Sequence, residues 1–92
     1  MDQRRIHVIV SGKVQGVYYR ASTQEQAQAL GLTGWVRNLA NGDVEFEAQG
    51  RHEQLDSLLQ WARRGPTRAQ VQTVTSTPCA VRAGESTFDV VR

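Results

Sequence analysis

The sequence has one cysteine, one lysine and two prolines, and none of its apolar runs is long. Each scarcity closes off a class of protein. A lone cysteine, Cys79, cannot form an internal disulfide, so the chain does not read as a disulfide-stapled module and suits a reducing compartment. Cys79 follows Pro78 near an expected strand end with neither histidine close in sequence, which favours a packing residue over a thiol nucleophile. No stretch approaches the ~20 apolar residues of a membrane helix. The opening Met1-Asp2-Gln3-Arg4-Arg5-Ile6 leads straight into a strand-like segment without the apolar core of a signal peptide. The expectation is a cytoplasmic protein with no membrane partner.

Charge of one sign is also not massed. Ten arginines, one lysine and nine acidic residues give a net charge of +2, scattered along the chain. That balance permits nucleic-acid binding without arguing for it, and it suits a small anionic substrate equally well. No segment matches the aromatic-rich pattern of RNA-recognition strands, so no nucleic-acid partner is expected. His7 and His52 lack metal-ligand spacing, so no metal site is expected either.

What is present is a rapid alternation of periods. The 92 residues are 39% hydrophobic, which supports one core and a single domain over 1–92. Ile6–Val10 reads as a strand ended by Ser11-Gly12. Tyr19, Thr23, Ala27 and Leu30 share one face of a helix over Tyr19–Leu30, stopped by Gly31. Thr33–Leu39 reads as a second strand, and Asn41-Gly42 as a hairpin turn in which both residues tolerate positive φ. Val44, Phe46 and Ala48 alternate with Glu45, Glu47 and Gln49, giving a third strand with one buried and one wet face. Leu55, Leu58, Leu59 and Ala62 form the apolar stripe of a second helix closed by Gly65-Pro66. Gln70–Thr77 and Ser86–Val91 complete the β-rich segments. The order is βαββαβ with an extra C-terminal strand. It implies an α+β, ferredoxin-like sandwich: an antiparallel sheet with two helices on one face. That plan hosts many functions, so function has to come from a site.

Two stretches carry chemistry. Ser11-Gly12-Lys13-Val14-Gln15-Gly16-Val17-Tyr18-Tyr19-Arg20 joins the first strand to the first helix and holds two glycines four apart. Glycines let successive N–H groups turn into an anion nest, and the helix start adds unpaired N–H groups. Arg20, in the first helical turn, is disfavoured by the helix dipole unless an anion lies between it and the amides. A guanidinium also pairs with phosphate oxygens through two charge-assisted hydrogen bonds. The same residues equally describe a glycine-containing turn with a surface arginine, and spacing alone does not separate the two. The second stretch is Gly34-Trp35-Val36-Arg37-Asn38, running into the Asn41-Gly42 turn. An amide at position 38 offers a donor and an acceptor, which suits orienting a water. Taken by itself, Asn38 reads better as a turn-forming residue at a strand end. His7, His52, Glu45, Glu47, Trp35 and Trp61 read as structural or solvated.

Gly12-Lys13-Val14-Gln15-Gly16-Val17-Tyr18-Tyr19-Arg20 resembles the first signature of the acylphosphatases. Gly31-Leu32-Thr33-Gly34-Trp35-Val36-Arg37-Asn38, followed by Asn41-Gly42-Asp43-Val44-Glu45, resembles the second. Gly50, Gly65-Pro66 and Phe88-Asp89-Val90 are similar to that family as well, so the likeness spans the chain. It implies hydrolysis of small acyl phosphates by a stand-alone domain, with no metal, no cofactor and no covalent intermediate; nothing in the sequence demands more than a monomer. It also implies that Lys13, Val14, Gln15, Gly16, Val17, Tyr18 and Tyr19 supply the phosphate-binding loop, that Arg20 binds the phosphoryl group, and that Asn38 positions the attacking water. The alternative is a non-catalytic anion- or RNA-binding module of the same fold.

Overall fold

The computed structural model describes residues 2–92. Its elements are β1 (Gln3–Lys13), α1 (Tyr19–Ala29), β2 (Thr33–Asn38), β3 (Val44–Arg51), α2 (His52–Arg64), β4 (Gln70–Cys79) and β5 (Phe88–Val90). The five strands form one sheet in the order β4-β1-β3-β2-β5. The expected ferredoxin-like sandwich is thus observed.

Alternation explains the two faces of the sheet. Val8 pairs with Phe46 and Val10 with Val44, while Phe46 also faces Val36 across β2. All of these are fully buried. Tyr19, Thr23 and Ala27 of α1 and Leu55, Leu58 and Ala62 of α2 close over them as one core. The stripes at helical spacing therefore do what their period requires.

The intervening residues, Arg5, His7, Glu45, Glu47 and Gln49, share the other face, and here β1 extends further than expected. Arg5 is 1% exposed. Its Nε donates to Glu47 Oε1 at 2.7 Å, and Nη1 donates to Glu85 Oε1 at 2.7 Å and to Gln49 Oε1 at 3.1 Å. Gln49 in turn donates to the Arg82 carbonyl at 2.9 Å and accepts from the Arg82 N–H at 2.8 Å. These bonds fasten segment 80–87 across the sheet and carry the chain from β4 at one edge to β5 at the other.

At that far edge β5 pairs with β2 in parallel, so the sheet is antiparallel in its first four strands and mixed at its margin. The last strand is also shorter than Ser86–Val91, since only Phe88–Val90 extend. Phe88 is buried, and a Val91 N–H to Val36 carbonyl bond of 2.8 Å closes the edge.

The hairpin after β2 differs from a two-residue turn. Only Gly42, at φ 98, has positive φ, and Asn41 does not. Gly42 N–H donates to Leu39 O at 3.2 Å, and Leu39 N–H to Asp43 O at 2.8 Å. This is a type I turn followed by a left-handed residue, the usual three-residue hairpin. Asn41 contributes through its side chain, whose Oδ1 accepts from the Asp43 N–H at 3.0 Å.

Candidate active site

The loop between β1 and α1 is anchored by burying its two valines. Val14 and Val17 are in the core, whereas Gly16 and Tyr18 are exposed. Gly16 has φ 74 and Tyr18 φ 65, and Tyr18 is the one non-glycine residue with positive φ among those described. Two left-handed residues, each followed by a return to ordinary φ, curl successive N–H groups toward one side. A bulky residue in this region is strained, and such strain concentrates at functional sites. The helix continues the same donor surface: Tyr18 is its N-cap, no side chain caps it, and no acidic residue lies in its first turn. Its first N–H groups are therefore left for a ligand.

Gly12 does not belong to this cradle. It sits at a bulge where β1 slips register against β4, and a Cβ there would lie 2.2 Å from the Gln70 carbonyl oxygen. Its glycine is required by strand packing and by its own positive φ of 123. Gly16, with nothing within 4 Å of an added Cβ, is required by its backbone angle alone.

A cavity of about 510 Å³ opens beside the loop, lined by Val14, Gly16, Tyr18, Tyr19, Arg20, Ala21, Asn38 and Val90. Arg20 and Asn38, from separate elements, thus line one cavity. Arg20 makes no ion pair among the described residues, in contrast to Arg5 and Arg37. Asn38 Oδ1 is buried without a hydrogen-bond partner in the protein, the one such side-chain atom among the described residues.

The other loop residues divide. Lys13 ends β1 opposite Gln70 and is exposed, away from the cavity lining. Gln15 and Val17 are also outside the lining, Val17 in the core and Gln15 turned toward the hairpin. Tyr19 reaches the wall but has no free polar atom there: it is 1% exposed, and its hydroxyl donates to the Ala62 carbonyl at 2.7 Å. Burial pushes its phenol well above the ordinary range. Its ring packs on Trp61 at 5.4 Å, which makes Trp61 a packing residue as expected. Ala21 and Val90 line the cavity without having been singled out from sequence. Val90 had a visible signal only in the closing Phe88-Asp89-Val90 likeness.

No histidine, cysteine or carboxylate lines the cavity. His7 is bonded to Glu45 at 2.6 Å on the open sheet face, and Arg37 holds the same carboxylate at 2.5 Å while covering the Trp35 ring. Burial alone would raise the Glu45 carboxyl, but hydrogen bonds from His7 and Arg37 hold it below its ordinary value. His52 lies on the surface of α2, 3.2 Å from Asp56. No group of three or more His, Cys, Asp or Glu able to hold a metal occurs among the described residues. No helix among them is long and apolar enough to cross a membrane.

Comparison with known proteins agrees with this geometry. The family model described as acylphosphatase matches residues 6–90. An acylphosphatase of Methylococcus capsulatus is 51% identical, covering 97% of this chain and 97% of its own. One from Marinobacter nauticus is 58% identical over 80% of each. The solved structure of an acylphosphatase from Coxiella burnetii superposes with a TM-score of 0.93 at 43% identity, covering 98% of this chain and 94% of the other.

Proposed function

Because the chain belongs to the acylphosphatase family, we propose that it hydrolyses the carboxyl–phosphate bond of small acyl phosphates in the cavity shared by Arg20 and Asn38. The observation that carries this reading is the pairing of an arginine free of carboxylate partners with an orphaned amide oxygen, beside a left-handed loop and an uncapped helix start.

The phosphoryl group sits in the nest made by the loop and helix amides, with Arg20 gripping two of its oxygens. Transfer of that group relies on position and on charge stabilisation at its equatorial oxygens, which amides and a guanidinium supply. Val14, Gln15, Gly16, Val17, Tyr18 and Tyr19 contribute through backbone N–H groups and loop shape, since their side chains offer the cavity little polar chemistry, while Lys13, the last residue of β1, leads the chain into the loop. Asn38 holds the water by its amide and aims it at phosphorus. The water oxygen–phosphorus bond forms as the phosphorus–acyl oxygen bond breaks, and its electron pair leaves with the carboxylate. A carboxylic acid has a pKa near 4, so the leaving group departs without a proton. That is why a cavity without histidine or carboxylate suffices. The water's proton passes to a phosphate oxygen, and inorganic phosphate and carboxylate are the products.

The reading extends to a monomeric, cytoplasmic protein acting as one domain over 1–92, with neither metal nor nucleic acid. Both key side chains come from one chain, and the single cysteine calls for no oxidising compartment. The test is release of phosphate from benzoyl phosphate in the presence of a chelator, run in ¹⁸O water. Turnover with label in the phosphate is expected. No turnover, or loss of turnover on chelation, would overturn it, and binding of single-stranded RNA without turnover would point to the non-catalytic module.

A further inference from the structure

The side chain of Gln15 turns away from the cavity its own loop encloses. Its Nε2 donates to the Leu39 carbonyl at 2.8 Å and to the Asp43 carbonyl at 2.8 Å. A carboxamide nitrogen carries two hydrogens, so both are consumed and none is left for a substrate. The two acceptors flank Asn38 in a specific way. Leu39 follows Asn38 in sequence, and Asp43 precedes Val44, which faces Asn38 across the β2–β3 ladder. One side chain of the loop that leads to Arg20 therefore clamps the hairpin that carries Asn38.

We infer that Gln15 is a positioning residue, which sets the distance between the phosphate-binding loop and Asn38. This rests on the acyl-phosphate reading above. Arg20 and Asn38 approach the cavity from different segments, and a reacting water misplaced by about 1 Å can cost a hundredfold in rate. The clamp is not needed to form the turn itself. Leu39 O also accepts from Gly42 N–H at 3.2 Å, and Asp43 O from Leu39 N–H at 2.8 Å, so each carbonyl keeps a backbone partner without Gln15. The side chain thus acts on registration between two segments that would fold without it.

Gln15→Met, which fills a similar volume without donors, is assayed on benzoyl phosphate beside the wild type. The expected result is a fall in kcat of roughly tenfold or more, with inhibition by inorganic phosphate changed less than about threefold. In an Asn38→Ala background the same substitution should cost less than about threefold further, since residues acting through one contact are non-additive. Gln15→Ala, read in the same way, guards against overpacking by methionine. Wild-type kcat in both variants, full additivity with Asn38→Ala, or loss of folding in both would overturn the inference. Loss of phosphate inhibition in step with kcat would make Gln15 a ligand and overturn it too. An inert wild-type enzyme is a different failure: it would remove the activity itself, and this role with it.

Discussion

Asn38→Ala should yield a folded and nearly inactive protein. Asn38 Oδ1 makes no hydrogen bond to another residue, so alanine deletes no such bond within the fold. The substitution also leaves β2 paired with β3 through the backbone. The side chain is only half-buried, so little packing is lost. A change within about 0.5 kcal/mol follows, which moves the Tm of a domain of this size by no more than roughly 2–4 °C. Catalysis is affected far more. Losing the group that aims the water should lower kcat by about 10²–10³. Inhibition by inorganic phosphate, which reports the loop and Arg20, should change little. Thermal unfolding by circular dichroism and benzoyl phosphate kinetics on one preparation check both halves. A Tm lowered well beyond that range with near-normal kcat would contradict this role, because Asn38 would then be the turn-forming strand end that its sequence position suggests.

The charged face of the sheet gives two further expectations. Arg5→Met removes a fully buried cation and leaves the Glu47 and Glu85 carboxylates, 22% and 16% exposed, without their partner. That should cost about 2–4 kcal/mol in urea unfolding, discounted from a completely buried pair by the carboxylates' access to water. In acid, Arg5 holds Glu85 below the ordinary glutamate value of 4.5 chiefly by hydrogen bonding, and His7 and Arg37 outweigh burial to hold Glu45 below it as well. A carboxylate depressed in the fold stabilises it above the unfolded pKa, and the gain disappears as pH falls through the folded pKa. Stability should therefore be flat near neutrality and decline below about pH 5, a slope that urea midpoints across the pH range would reveal. Glu85→Gln should flatten part of it.

Much of this was legible in the chain because periodicity reports burial directly. Val44, Phe46 and Ala48 alternate, Leu55, Leu58 and Ala62 recur at helical spacing, and each meets the core. What could not be read depends on long-range contact. Arg5 looks like a surface arginine until segment 80–87 folds over it from the far end of the chain. The parallel edge pairing of β5 follows from that same crossing, so strand type alone did not show it. Gly12 and Gly16 look alike in sequence and both adopt positive φ, yet only Gly12 is also hemmed in by β4. Asn38 was weakest of all on local grounds, because turn chemistry and an orphaned catalytic amide require the same residue at a strand end. The cavity that separates them is a tertiary feature.

Whether Arg20 is the phosphate ligand is decided by the Arg20→Gln variant, measured for benzoyl phosphate turnover and for inhibition by inorganic phosphate. Two charge-assisted bonds of about 1.5–3 kcal/mol each predict a loss in kcat/KM of at least roughly a hundredfold, with phosphate inhibition lost as well. A folded Arg20→Gln protein that turns over at near wild-type rate and still binds phosphate would contradict it.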